Sequence, residues 1–120
     1  MYKPKLNIAL KRIYLPASPA DGTRLLVERL WPRGLTKADA ALDDWLKDIA
    51  PSTDLRKWYA HDPQRWHEFQ NRYRRELAEQ GDEIARLRDL AKKGRITLLY
   101  ASREDRMNSA GVLRQVLLDE

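Results

Sequence analysis

The sequence predicts an α/β domain in which a small, mostly parallel sheet is flanked by helices. Two observations predict it. Residues 24–34 (RLLVERLWPRG) and 96–102 (ITLLYAS) contain short apolar runs bounded by turn residues, the pattern of strands covered on both faces. The segments between and after them repeat apolar residues at helical spacing. Long helical crossovers therefore join the two strands, which should be parallel neighbours. Strands and helices alternating in this way make a layered α/β fold. A length of 120 residues suits one domain, residues 1–120, with one core.

In chain order, residues 6–15 (LNIALKRIYL) read as a first strand, with Ile8, Leu10, Arg12 and Tyr14 alternating on one side. Residues 16–22 (PASPADG) form a loop, short enough for a hairpin and equally compatible with an open connection. In the central strand Leu25, Leu26, Val27 and Leu30 are the apolar body. Leu25, Val27, Arg29 and Trp31 fall on one face, and Leu26, Glu28 and Leu30 on the other. Buried charge is costly, so Glu28 and Arg29 should lie near a crevice or find partners. Pro32 ends the ladder, Gly34 permits a tight turn, and Arg33 is left at the tip just past the strand.

Thr36 is the expected N-cap of the next helix, with Asp39 in a capping-box position. Residues 41–52 (ALDDWLKDIAPS) admit two readings. Leu42, Trp45, Leu46 and Ile49 follow helical spacing, while a strand ending at Pro51 suits the α/β alternation better. Ser52 or Thr53 caps a short helix through Leu55, Trp58 and Tyr59, and Asp62-Pro63 starts a longer one. That helix carries a stripe of Trp66, Phe69, Tyr73 and Leu77, with Gly81 as its expected stop. Ile84, Leu87, Leu90 and Ala91 give the following helix its buried face, ended by Gly94. After the last strand comes a polar loop, then a closing helix capped by Asn108 or Ser109. The expected core joins Leu26, Val27, Trp66, Phe69, Leu98, Leu99 and Leu113.

Composition removes several function classes. With no cysteine there can be no disulfide, thiolate catalysis or cysteine-ligated zinc. No stretch reaches the length of a membrane span, and the N-terminus lacks a signal peptide's apolar region, so a cytoplasmic location without a membrane partner is expected. Lys and Arg number 23 against 18 Asp and Glu, a net charge of +5 that would suit a polyanionic partner. Both signs are interspersed, however, which describes an ordinary solvated surface.

Ligands of open α/β sheets bind beyond the carboxyl ends of the strands. Arg33 follows one strand; Tyr100, Ser102 and Arg103 follow the other, just before the N-terminus of the last helix. Free N–H groups there favour an anion, and guanidinium forks match phosphate or carboxylate oxygens. In the competing view, Arg103 pairs with Glu104 or Asp105 and Arg33 is a solvated turn residue. Neither GxGxxG nor GxxxxGK[ST] occurs, and no cofactor is expected. His61, in a loop, is the best candidate for a general base, although a loop histidine more often bonds nearby backbone. His61 and His67 lack metal-ligand spacing, so no metal is expected. Ser52 would be a nucleophile only with a base beside it; capping accounts for it otherwise. The basic run Arg72, Arg74 and Arg75 could touch a phosphate backbone. Interleaved Glu68, Glu76 and Glu79 favour an ion-paired surface instead.

LLVERLWPRG, WLKDIAPS, LRKWYAHDP, RWHEFQNRYRREL and TLLYASRED followed by Asn108 together resemble the YeaO-like branch of the domain-of-unknown-function 488 family, from about Arg24 to Leu117. The resemblance implies a compact α/β domain. Its pattern falls on Arg29, Trp31, Arg33, Trp45, Ser52, His61, Tyr73, Tyr100 and Asn108. Other branches carry Cys and His after the last strand, where this chain has SREDRMNSA. The leading functional expectation is an anion-binding crevice for a nucleotide or another phosphorylated small molecule. Arg33 and Arg103 would hold the anion, Arg29 would line the floor, and Tyr100, Ser102 and Asn108 would orient it, with His61 as base if there is catalysis. The alternative is a nucleic-acid-binding accessory protein using the basic surface, and a third reading is an interaction module without a ligand.

Overall fold

The computed structural model describes residues 5–119; the first four residues and Glu120 of the expected domain lie outside the described residues. Four strands form the sheet: β1 (Ile8–Arg12), β2 (Thr23–Leu26), β3 (Asp44–Trp45) and β4 (Ile96–Tyr100). Their order is β1-β4-β2-β3, and every neighbouring pair is parallel. The α/β class and the parallel pairing of the two buried strands are as expected. All five residues of β4 are buried, because β4 has a strand on each side and packing on both faces. Since β1 and β2 both lie parallel to β4, the connection between them is open and not a hairpin.

Five helices complete the layers: α1 (Lys37–Ala40), α2 (Thr53–Tyr59), α3 (Trp66–Ala78), α4 (Gly81–Lys93) and α5 (Ser109–Leu118). The larger core cluster joins Leu25, Val27 and Leu98 to Phe69, Tyr73, Leu87 and Leu113, so α3, α4 and α5 cover one face of the sheet. A smaller cluster of Ile13, Leu26, Ala40 and Leu99, with Trp31 and Trp45 packed on it, covers the other. The expected single core is thus divided. Leu26 and Leu99 are register partners, one residue on from the partners Leu25 and Leu98, and strand alternation turns them to the opposite face. Trp66 is half-buried, packed at the margin of the larger cluster rather than within it.

The expected caps form. Thr36, Ser52, Asp62 and Asn108 each accept a backbone N–H at the start of a helix or helical turn. Gly81 does not stop α3: the chain turns at Glu79 and Gln80, and Gly81 opens α4. The ambiguous segment 41–52 becomes a two-residue edge strand, held by Leu46 N–H donating to the Leu26 carbonyl at 2.8 Å.

The central strand is shorter than its apolar run. Val27 N–H still donates to the Leu99 carbonyl at 3.1 Å. The next rung fails because Ala101 N–H donates to the Glu28 carboxylate at 3.0 Å instead of to a backbone carbonyl. The Glu28 carbonyl is itself taken by the Trp45 indole N–H at 2.6 Å. Strand alternation therefore stops there. Leu30 is 62% exposed and Trp31 joins the smaller cluster, not the face of Leu25. Pro32 is not what ends the ladder; a side-chain carboxylate is.

At the opposite end of the sheet, Asp21 and Arg24 are buried together. Arg24 donates to Asp21 at 2.5 Å and to the Ala40 and Ala41 carbonyls at 2.8 and 3.0 Å. Lys11 and Ser18 N–H also donate to Asp21. Gly22, beside it, has φ of 65°, and a Cβ there would stand 2.2 Å from the Arg95 carbonyl oxygen. Only glycine passes this point.

Candidate functional site

Beyond the carboxyl ends of β2 and β4 the structure encloses a cavity of about 300 Å3. The ladder break that frees Glu28 opens it. Glu28, Ala101 and Ser102 form the wall nearest the sheet. Arg56, Tyr59, His61 and Phe69 form the helical wall, and Met107, Asn108 and Ser109 close the third side at the start of α5. Tyr59 and Phe69 lie with ring centroids 4.5 Å apart, and Trp66 stacks on Phe69 at 5.4 Å, which gives this side an apolar backing.

Burial pushes the Glu28 carboxyl above its ordinary value, while the Ala101 N–H and the charges of Arg56 and His61 oppose the rise. One carboxylate oxygen is used by Ala101 N–H. The other has no partner among the described residues, where no buried side-chain oxygen or nitrogen is left unsatisfied. It is therefore reachable from outside. Arg56, on α2, is half-buried, and its guanidinium has no hydrogen bond or ion pair among the described residues. Its N–H donors remain available to a ligand.

His61 reaches the cavity through an unusual backbone. Ala60 and His61 have φ of 47° and 55°, consecutive left-handed residues with side chains. Each costs roughly 1–2 kcal/mol. The turn is held by Ala60 N–H donating to the Arg56 carbonyl and Asp62 N–H to the Tyr59 carbonyl, both at 3.0 Å. The imidazole then lies against Tyr59, with centroids 6.1 Å apart.

Of the residues expected from sequence, the cavity brings together His61, Ser102 and Asn108. Asn108 also caps α5: its Oδ1 accepts Gly111 N–H at 2.8 Å and its Nδ2 donates to the Glu104 carbonyl at 3.0 Å. Ser102 Oγ accepts Glu104 N–H at 3.0 Å. Arg29, Arg33, Tyr100 and Arg103 are not among the cavity's lining residues. Arg29 donates to the Ala50 and Pro51 carbonyls, both at 3.0 Å, and lines a separate hollow with Asp48 and Glu76. Tyr100 is buried in the larger core cluster. Arg33 is exposed; its carbonyl accepts the Tyr14 hydroxyl at 2.7 Å, and its guanidinium has no partner among the described residues. Replacement by alanine should leave stability within about 0.5 kcal/mol of wild type, as for other surface positions, which urea titration will check. Arg103 is exposed in the loop after β4.

Sequence reading missed Arg56 as a site residue and took Glu28 only as far as a crevice or a partner, both of which it has here. A carboxylate in an apolar strand was a usable signal for Glu28. Nothing distinguishes Arg56 from the other cations of its helix until the fold is known. Ser52 does meet a carboxylate: its N–H and Oγ donate to Glu76 at 2.9 and 2.6 Å, while the same Oγ accepts Leu55 N–H. That geometry fixes the α2 cap onto α3. Among the described residues no group of three or more His, Asp or Glu is placed to hold a metal ion, and no helix is long and apolar enough to cross a membrane.

The chain is 48% identical over 108 residues to the uncharacterized protein YeaO of Escherichia coli (strain K12), covering 90% of this chain and 94% of that one. It is 41% identical over 111 residues to the uncharacterized protein Rv3073c of Mycobacterium tuberculosis (strain H37Rv), covering 92% and 93%. No solved structure matches it. Residues 7–120 match the family model described as the inactive DUF488-N3 subclade. On that match, and on the identity to YeaO across nearly its whole length, the chain belongs to the DUF488-N3i family.

Proposed function

We propose that the cavity beyond β2 and β4 binds a small phosphate-bearing molecule and holds it without transforming it. The single observation that carries this is Arg56: a half-buried guanidinium with no protein partner among the described residues, facing a cavity it lines. A guanidinium fork matches phosphate oxygens in a bidentate pair. His61 adds a second nitrogen donor on the same wall, and the start of α5 at Ser109 offers free N–H groups. Arg103, next to the lining residue Ser102, acts as a rim cation that draws the anion in. Arg33 serves at longer range. The subclade's description as inactive supports binding over turnover, so His61 contributes hydrogen bonding rather than base catalysis.

The alternative, nucleic-acid binding by the basic surface, has less to rest on. Arg72 pairs with Glu68 at 2.9 Å, and Arg74 pairs with Asp119 and bonds Gln115. Arg72 also lies over the Trp58 ring at 4.1 Å, so that indole face is covered.

Titration with ethyl phosphate at low ionic strength tests the proposal, read by calorimetry and by fluorescence from Trp66, which stacks on the cavity residue Phe69. Arg56→Ala should weaken binding at least tenfold and Arg103→Ala about twofold to threefold, with folding unchanged by circular dichroism. Unaltered affinity in Arg56→Ala would overturn the assignment.

A further inference from the structure

The Glu28 carboxylate and the Arg56 guanidinium line the same cavity and feel each other's charge, yet no ion pair within 4.0 Å joins them. Opposite charges this well placed normally close on each other when nothing else holds them. Here the fold fixes the Glu28 carboxylate and the backbone from which Arg56 extends. Glu28 is fixed at the end of β2 by the Ala101 N–H, on one side of the cavity. Arg56 projects from α2, whose cap is tied to α3 through Ser52 and Glu76. The protein thus presents a bare acceptor and a bare donor fork across a gap.

A plain anion satisfies only half of this arrangement. Bound to Arg56, it would also stand near the Glu28 carboxylate and be repelled by it, an effect stronger in a partly dry cavity than in water. A ligand that also carries an ammonium or another N–H donor reverses that penalty, because the donor can meet the open Glu28 oxygen. We infer that the cavity selects a small zwitterion, its anionic group on Arg56 and its amine on Glu28, so that the ligand completes a salt bridge the protein leaves open. This rests on the anion-binding reading of the same cavity and narrows it. The volume of about 300 Å3 lies at the small end of ligand pockets, which run from roughly 300 to 1,000 Å3. That suits one short molecule with both charges close together.

A matched set of probes separates the two readings: ethyl phosphate (anion only), ethanolamine (cation only) and phosphoethanolamine (both), measured by calorimetry on the full chain. Phosphoethanolamine should bind at least tenfold tighter than ethyl phosphate, and ethanolamine should not bind measurably. Glu28→Gln keeps an oxygen for the Ala101 N–H and removes the charge. In it the advantage of phosphoethanolamine should fall to within twofold, while ethyl phosphate binds as well as before or better. If that variant fails to fold, Arg56→Gln gives an independent reading, since it should erase the difference between phosphoethanolamine and ethanolamine. Equal affinity of wild type for ethyl phosphate and phosphoethanolamine would overturn the zwitterion inference and leave the anion site standing. No binding of either phosphate, or binding of ethanolamine as tight as that of phosphoethanolamine, would overturn both.

Discussion

Asp21→Ala is expected to cost roughly 3–5 kcal/mol, the range for removing one partner of a buried ion pair. Both groups are buried: Asp21 is 8% exposed and Arg24 only 5%. Arg24 spends its other donors on the carbonyls of Ala40 and Ala41, pinning the end of α1 beside β2, and cannot swing out to water without giving these up. Without Asp21 a guanidinium stays in the interior with its charge uncompensated. The pH dependence has a definite sign. Burial pushes the Asp21 carboxyl up, but the Ser18 N–H, Lys11 and Arg24 together outweigh it, and the net value lies below the ordinary 3.8. The folded chain therefore holds this proton less readily than the unfolded one. The stability gained is present above the unfolded value and lost as pH falls through the lower folded value. Urea titrations at neutral pH should show the full gap between wild type and Asp21→Ala, and the gap should narrow as the pH is lowered below about 4. A neutral-pH difference under 1 kcal/mol would show that the pair is well solvated.

Phe69→Ala is expected to lose roughly 3–5 kcal/mol, the usual cost of deleting a large core aromatic. The ring is 3% exposed and touches Tyr59, Trp66 and Tyr73, with centroids 4.5, 5.4 and 6.0 Å away. Its removal would also open the apolar back of the candidate site. Ethyl phosphate binding should therefore weaken along with the denaturation midpoint. Trp66→Ala, at the half-buried margin, should cost less than Phe69→Ala although more atoms are removed. The reverse order would mean that Trp66, not Phe69, anchors α3 to the rest of the chain.

The parts of this fold that could be read from sequence are those where local chemistry and tertiary packing agree. ITLLY is mostly apolar and buried throughout, its one hydroxyl-bearing aliphatic, Thr97, donating to the Asp21 carbonyl, as suits a strand covered on every side. The stripe through Phe69, Tyr73 and Leu77 is buried because helical spacing alone puts it on one face. Thr36, Ser52, Asp62 and Asn108 cap because their side chains need only the next turn of backbone. What could not be read depends on a partner distant in sequence. Glu28 ends a ladder by capturing the N–H of Ala101. Arg24 heads an apolar strand yet is buried on the carbonyls of Ala40 and Ala41. Residues 42–50 have helical periodicity, but the free edge of β2 recruits Asp44 and Trp45 as a strand. The candidate site shows the same division. Ser102 and Asn108 were placed by the rule that ligands lie past parallel strands. Arg56 comes from a helix whose angle to the sheet only the packed chain decides.

The position of β4 at the middle of the sheet also governs how the protein comes into being. Ile8 pairs with Ile96, and β2 likewise meets β4 rather than β1. The two early strands have no partner in each other, so the sheet has no centre until residues 96–100 exist. At translation rates of about 5–20 residues per second, β1 waits roughly 4–18 s on the ribosome for the strand it must pair with. Until then the edge of β2 that β4 covers, at Leu25, Leu26 and Val27, lacks its partner, the kind of apolar surface chaperones shield. Sheet formation in this chain is therefore set by the arrival of residues 96–100 and sealed by α5.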